Sequence, residues 1–207
     1  MRDVYYDRDD MKWEFQFKDK NFTQHRCWPP SSQVIMMKCR TVMSVPIEVA
    51  QLCAVDFEVR REWDEVLYDL KVYEQTKDFE YMRCSYAFNA PFPLSDREFY
   101  LEQLVKRDFP EPGMYTTILL NLAVDENEFP VTPKRVRGIL HNGMILKPVI
   151  DPETGEQHTE ALLTNCTDIN GLVPKWAVNT FSRSVPKVWF KTYEKGVKKY
   201  IEKQANL

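Results

Sequence analysis

No apolar run in this 207-residue chain approaches the roughly 20 residues that a membrane-spanning helix requires. The charged, aromatic opening MRDVYYDRDDMKWEF has no signal-peptide core. A folded, soluble protein is expected, with the cytoplasm as its default location. The five cysteines, at 27, 39, 53, 84 and 166, are scattered, odd in number and free of any CxxC pair. Neither a disulfide framework nor a zinc site follows from them, and they read as reduced, mostly buried thiols. The three histidines, at 25, 141 and 158, show no HxxxH pairing, and no GxSxG elbow occurs. No enzyme, metal or cofactor is therefore expected. Internal repeats, low-complexity tracts and linker-like shifts of composition are also missing, so residues 1–207 read as one domain. Two sequons, Asn21-Phe22-Thr23 and Asn165-Cys166-Thr167, read as chance matches.

What the chain does contain is core-forming material: 43% of residues are apolar and 13% aromatic. Its net charge of −3 is unevenly spread. From Gly171 onward eight Lys or Arg face two Glu, a balance of +6, while the preceding 170 residues carry twenty against twenty-nine, a balance of −9. A basic tail on an acidic body argues against nucleic acid as a partner of the main surface, and makes the tail the place to look for an anionic one.

Alternating and β-rich runs predict strands over 13–17, 22–27 and 33–42, then over 70–75, 79–88, 97–107, 114–123, 136–148 and 158–168. Between the third and fourth, Pro46 opens a helical stretch with apolar residues at helical spacing as far as Leu67. It is interrupted near Asp56, a suitable N-cap, so two helices in tandem are expected. Consecutive strands joined by short turns imply an antiparallel meander able to curl.

After the last strand, TDINGLVPKWAVN switches the chain to a helix of about 30 residues. Gly171 can adopt angles closed to other residues, and Pro174 suits a first helical turn. At 100° per residue Val178, Phe181, Val185, Trp189, Tyr193 and Tyr200 share one face, opposite Arg183, Lys187, Lys191, Lys195 and Lys198. That apolar face suits either a helix closing a solid core or one roofing a cavity. Pro186, read as interior, would kink the helix.

Four blocks, RREWDEVL, APFPLSDREFY, KRVRGILHNGMILKP and TDINGLVPKWAVN, stand in this order at separations that resemble the StAR-related lipid-transfer (START) domain. The resemblance runs from Trp13 to about Lys203, and the N-terminal helix usual in the family is shortened or missing. It implies an α+β helix-grip fold, a curved antiparallel sheet wrapped around a long C-terminal helix, with an internal lipid tunnel. It also implies that the protein binds one lipid, most plainly a glycerophospholipid, and transfers it between membranes. The alternative is a lipid-gated regulatory or interaction module of a larger protein. By resemblance to phosphatidylcholine-binding members, Arg60 would face the lipid phosphate with Asp64 beside it, and Tyr86, Phe99 and His141 would fall where those members place an aromatic cage. Phe181, Val185 and Trp189 would line the tunnel roof. Arg97 and Arg137 would orient loops or pair with acids, and Trp63 would be core. Trp176, Lys187, Lys191 and Lys195 would make transient, peripheral membrane contact, with the protein a monomer.

Overall fold

A computed structural model describes residues 5–6, 11–30, 32–90, 94–122, 125, 127 and 129–206, without the side chains of 180–182. Among the described residues are ten strands: β1 (Glu14–Asp19), β2 (Phe22–Cys27), β3 (Met36–Met43), β4 (Leu67–Gln75), β5 (Tyr81–Phe88), β6 (Arg97–Arg107), β7 (Tyr115–Asn121), β8 (Val136–Arg137), β9 (Ile139–Ile150) and β10 (Gln157–Asp168). The helices are α1 (Ile47–Val55), α2 (Phe57–Arg60), α3 (Lys175–Ser182) and α4 (Val185–Ala205). Together they make the helix-grip architecture, an open antiparallel sheet with a long C-terminal helix.

The sheet order is β1-β2-β3-β10-β9-β7-β6-β5-β4, with the two-residue β8 lying parallel to β6. It is more than a meander. After β3 the chain leaves the sheet, forms α1 and α2, and re-enters at the far edge as β4, so that β10 must return to pair with β3. Asp56 separates the two helices as an N-cap, its carboxylate accepting from the backbone of Glu58 and Val59. The second helix is only one turn long. Leu67 lies in β4, because its side chain is claimed by the core under the far half of the sheet.

The long terminal helix is two helices. Arg183 and Ser184 form a turn, and Pro186 occupies the first turn of α4, where its missing N–H leaves no bond unmade. The expected interior kink is a helix start instead. Pro174 precedes α3, and its carbonyl accepts from Ala177 and Val178. Gly171 takes φ +76° in the preceding loop, as the strand-to-helix switch requires.

Two apolar cores form on the concave face. One joins α4, through Phe190, Tyr193 and Val197, to α1 and to strands β2, β3, β9 and β10. The other lies under β4, β5 and β6 around Met82, Tyr86, Phe99 and Leu101. Trp63, three residues beyond α2, ties α1 to α4: its indole N–H donates to the Cys53 carbonyl at 3.0 Å, and its ring lies against Trp189 and Tyr193. Gly196 of α4 admits it, since a Cβ there would stand 2.5 Å from Trp63 Cβ and Cγ. All five cysteines are buried and free, and burial pushes the thiols of Cys53 and Cys84 up to about 12.

Gly196→Ala is expected to cost about 1–3 kcal/mol by overpacking and to lower Tm by roughly 3–10 °C in a chain of this size. Thermal unfolding followed by circular dichroism checks this. Native protein should leave all five thiols unreactive toward a disulfide reagent at pH 8, and denaturant should release all five.

Candidate functional site

Between the two cores lies a cavity of about 860 Å³, walled by both and roofed by α3 and α4. The pair expected from RREWD is part of its wall. Trp63 N–H and Asp64 N–H continue the helical turn beyond Arg60, both donating to the Arg60 carbonyl, which places the Asp64 side chain over Arg60. Nε and Nη2 of Arg60 both reach Asp64 Oδ2 at 3.0 Å. Arg60 is 7% and Asp64 3% exposed, so this is no solvated surface pair. The guanidinium carbon stands 5.8 Å from the rings of Phe57 and Tyr86 and 5.9 Å from Trp63. A buried ion pair recovers its desolvation only with good geometry and further partners. Nη1 makes no hydrogen bond among the described residues and is the natural donor to an anion in the cavity.

Beside Arg60 three rings converge. Tyr86 and Phe99 line the cavity, and Phe88 joins them, with centroid separations of 5.9 Å for Tyr86 and Phe99 and 5.4 Å for Phe88 to each. Phe99 is positioned by Gly138, where a Cβ would stand 2.4 Å from its Cε1. Burial raises the Tyr86 phenol above its ordinary pKa, so it remains a neutral hydroxyl. Phe88 was legible in principle, because it continues the inward alternation of Cys84 and Tyr86.

His141 does not join this group. It is exposed and lies off the cavity, whereas its neighbours Leu140 and Asn142 line it. Side chains alternate along β9, and the inward frame runs 140, 142, 144. Val185 and Trp189 do line the cavity, Trp189 stacking on Tyr193 at 4.9 Å. The side chain of Phe181 lies outside the described residues. Polar cavity residues that motif reasoning missed include Gln103, Thr117, Asn142 and Asn165. The sequon at Asn165 is thus a stretch of cavity wall.

The loop before α3 is clamped by Arg97. Its side chain is buried, burial lowers its pKa, and it donates to the carbonyls of Ser95, Ile169 and Asn170, the latter two at 2.9 and 3.2 Å. Asn170 in turn donates to the Arg137 carbonyl at 3.0 Å, and Lys175 pairs with Asp168 at 2.6 Å. Arg137 donates to Glu98 at 2.8 Å on the other face of β6.

At the entrance, Val66, Val185 and Val188 are exposed while lining the mouth. Leu172, in the loop before α3, is fully exposed, and Trp176, in the first turn of α3, is 73% exposed. Lys195 reaches the mouth and Lys191 is exposed on the same helix. Lys187 departs from expectation: it pairs with Asp19 at 2.5 Å and packs over Phe17, fastening α4 to the β1–β2 turn. That hydrogen bond holds the Asp19 carboxyl below its usual range. No helix among the described residues is long and apolar enough to cross a membrane.

A family model described as START domain matches residues 6–203. Human STARD10 is similar in fold, with a TM-score of 0.80 and 17% identity over 99% of this chain and 81% of that one. Human StAR-related lipid transfer protein 5 gives 0.79 and 21% identity over 95% and 91%. A STAR-related lipid transfer protein from Xanthomonas axonopodis gives 0.71 and 13% over 90% and 98%. No curated protein matches the sequence.

Arg97→Met should remove the carbonyl clamp while leaving the strand packed. Charged hydrogen bonds of this kind are worth about 1.5–3 kcal/mol each, so local opening of the 169–178 segment should become easier by roughly 2–4 kcal/mol. Hydrogen exchange is expected to accelerate there and to stay unchanged in β9 and β10.

Proposed function

The chain belongs to the START-domain family, whose members are lipid-binding and transfer modules, and we propose that it acts as one domain that carries a single glycerophospholipid between membranes. The observation that carries this reading is the buried Arg60–Asp64 pair in the wall of an otherwise largely apolar cavity. Asp64 holds the guanidinium by two of its nitrogens, which aims the remaining N–H groups at a phosphate. The cup of Tyr86, Phe88 and Phe99 beside it suits a cationic headgroup, attracted to the ring faces. The acyl chains would then occupy the apolar space under Trp189 and Met144.

Exchange requires the roof to move. The loop at Asn170 and Gly171 and the turn at Arg183 and Ser184 are the two places where the lid backbone departs from helix. Leu172 and Trp176 are apolar and exposed, and would insert at the lipid interface when the lid opens. Lys191 and Lys195 would hold the mouth to an anionic surface, each contributing ~1 kcal/mol close to the membrane. The protein would act as a cytoplasmic monomer with transient, peripheral contact.

Arg60→Leu is expected to remain folded and to lose phospholipid uptake by roughly a hundredfold, ~2.7 kcal/mol. Unchanged lipid extraction by a folded variant would remove the phosphate assignment. In a transfer assay, Lys191→Glu with Lys195→Glu should slow delivery to anionic vesicles several-fold and leave delivery between neutral vesicles unchanged. Equal slowing on both would mean that these charges do not steer the encounter. Tight binding with no transfer at all would favour a lipid-gated module.

A further inference from the structure

Two stretches of this chain are nearly free of charge. Residues 28–37, WPPSSQVIMM, run from the end of β2 into β3 without a charged side chain, and residues 169–182 do so but for Lys175, in a protein of which 29% is charged. The fold brings the two together. Cys27 of β2 pairs with Met36 of β3, Met37 with Asn165 of β10, and Asp168 with Ile139, so the β2–β3 loop and the segment leading into α3 leave the sheet at one end. Val34, Cys166 and Val178 form a small core there, with Ile169 and Val173 packed on it. The backbone N–H of Ile35 donates to Asn179 Oδ1 at 3.2 Å, and Lys175 is neutralised by Asp168.

The inner half of the β2–β3 loop is buried at Val34 and Ile35, and Ser32 closes it, its Oγ accepting from the Val34 N–H at 3.0 Å. The outer half faces water. Trp28 is 52% exposed and is followed by Pro29 and Pro30, whose rings restrict the backbone. A single exposed apolar side chain carries no message. Here Trp28, Leu172 and Trp176 are exposed on joined segments with no unpaired charge to desolvate, and Arg183 and Lys191 stand exposed beyond them on the basic tail. An anionic bilayer matches both features, because indoles favour the layer between headgroups and acyl chains while the cations meet the headgroups.

We propose that the β2–β3 loop is a second membrane anchor, with Trp28 inserting into the interfacial layer of an anionic bilayer beside Leu172 and Trp176. This rests on the reading given above in which the lid meets the membrane. Trp28 is borne by the sheet through β2 and β3, whereas Trp176 is borne by α3. The loop therefore holds the sheet to the bilayer while α3 parts from it by breaking the hydrogen bond between Ile35 and Asn179.

The test uses the buried native thiols, which leave a surface cysteine as the site of labelling. Pro30→Cys, Leu172→Cys and Ile150→Cys are labelled with the fluorophore NBD and titrated with vesicles of phosphatidylcholine and phosphatidylserine. Ile150 is exposed at the other end of β9, roughly 35 Å away at 3.3 Å per residue. Labels at 30 and 172 should brighten, shift to the blue and be quenched by nitroxide lipids, while the label at 150 stays silent. Unlabelled Trp28→Ser, at a site outside the core, should keep its circular dichroism and weaken partitioning to these vesicles about tenfold, the order expected from withdrawing half an indole from water. A response at 172 without one at 30, or undiminished partitioning by folded Trp28→Ser, overturns the second anchor and leaves the lid contact standing. Silence at both positions removes the lid contact, and the second anchor with it. A signal at 30 that grows with protein concentration in the absence of vesicles, with a dimer on sedimentation, assigns the face to a second copy of the chain and overturns the membrane reading.

Discussion

An α-helix with its side chains is about 10–12 Å across, whereas nine strands in hydrogen-bonded sequence, about 4.8 Å apart, make a sheet roughly 38 Å wide. One terminal helix cannot cover that surface. Here α4 seals β2, β3, β9 and β10 with help from α1, and the far half of the sheet gathers its own core under β4, β5 and β6. The space between is what the protein has instead of a merged core. Everything distinctive about the site follows from that mismatch of widths, because side chains facing the gap from either core are buried without being packed.

The gap also explains why a buried ion pair is tolerable. Arg60 and Asp64 sit at the end of a one-turn helix, flanked by three rings, with only the Nη1 hydrogens of Arg60 directed at no protein acceptor among the described residues. In a filled core such a pair would be a poor exchange for apolar packing. Trp63, between them in sequence, reaches α4 through Gly196, Trp189 and Tyr193. Arg60 and the roof are thus one packed unit. A shift of α4 and a rearrangement of the wall around Arg60 are coupled by contact, and the Arg97 clamp makes the loop at 169–171 a separate, hydrogen-bonded joint.

Much of this was legible in local patterns. The Asp56 cap, the strands over 22–27 and 97–107, and the glycine at 171 are matters of turn chemistry and period, and the structure places them where those rules put them. The errors have physical causes. Pro186 starts a helix because Arg183 and Ser184 break the chain just before it, which a wheel drawn through both helices does not register. His141 faces out because β9 begins after Gly138 with its own inward frame, and a frame changed by one residue reverses every side chain. Lys187 looks like its basic neighbours on the wheel, yet the β1–β2 turn brings Asp19 to it.

By itself the sequence determined the helix-grip class, since period, turn residues and ordered blocks act locally and survive without knowledge of neighbours. It also determined the pairing of Arg60 with Asp64, because residues four apart within a helical turn meet whatever surrounds them. Only the tertiary structure decided that this pair is buried at a cavity and not solvated, and that Phe88 completes the ring cup. It likewise decided that Gln103, Asn142 and Asn165 share one rung, since these residues come from three strands whose register depends on β10 returning to β3. Burial and register are set by what lies across the sheet, and one-dimensional spacing carries no information about that neighbour.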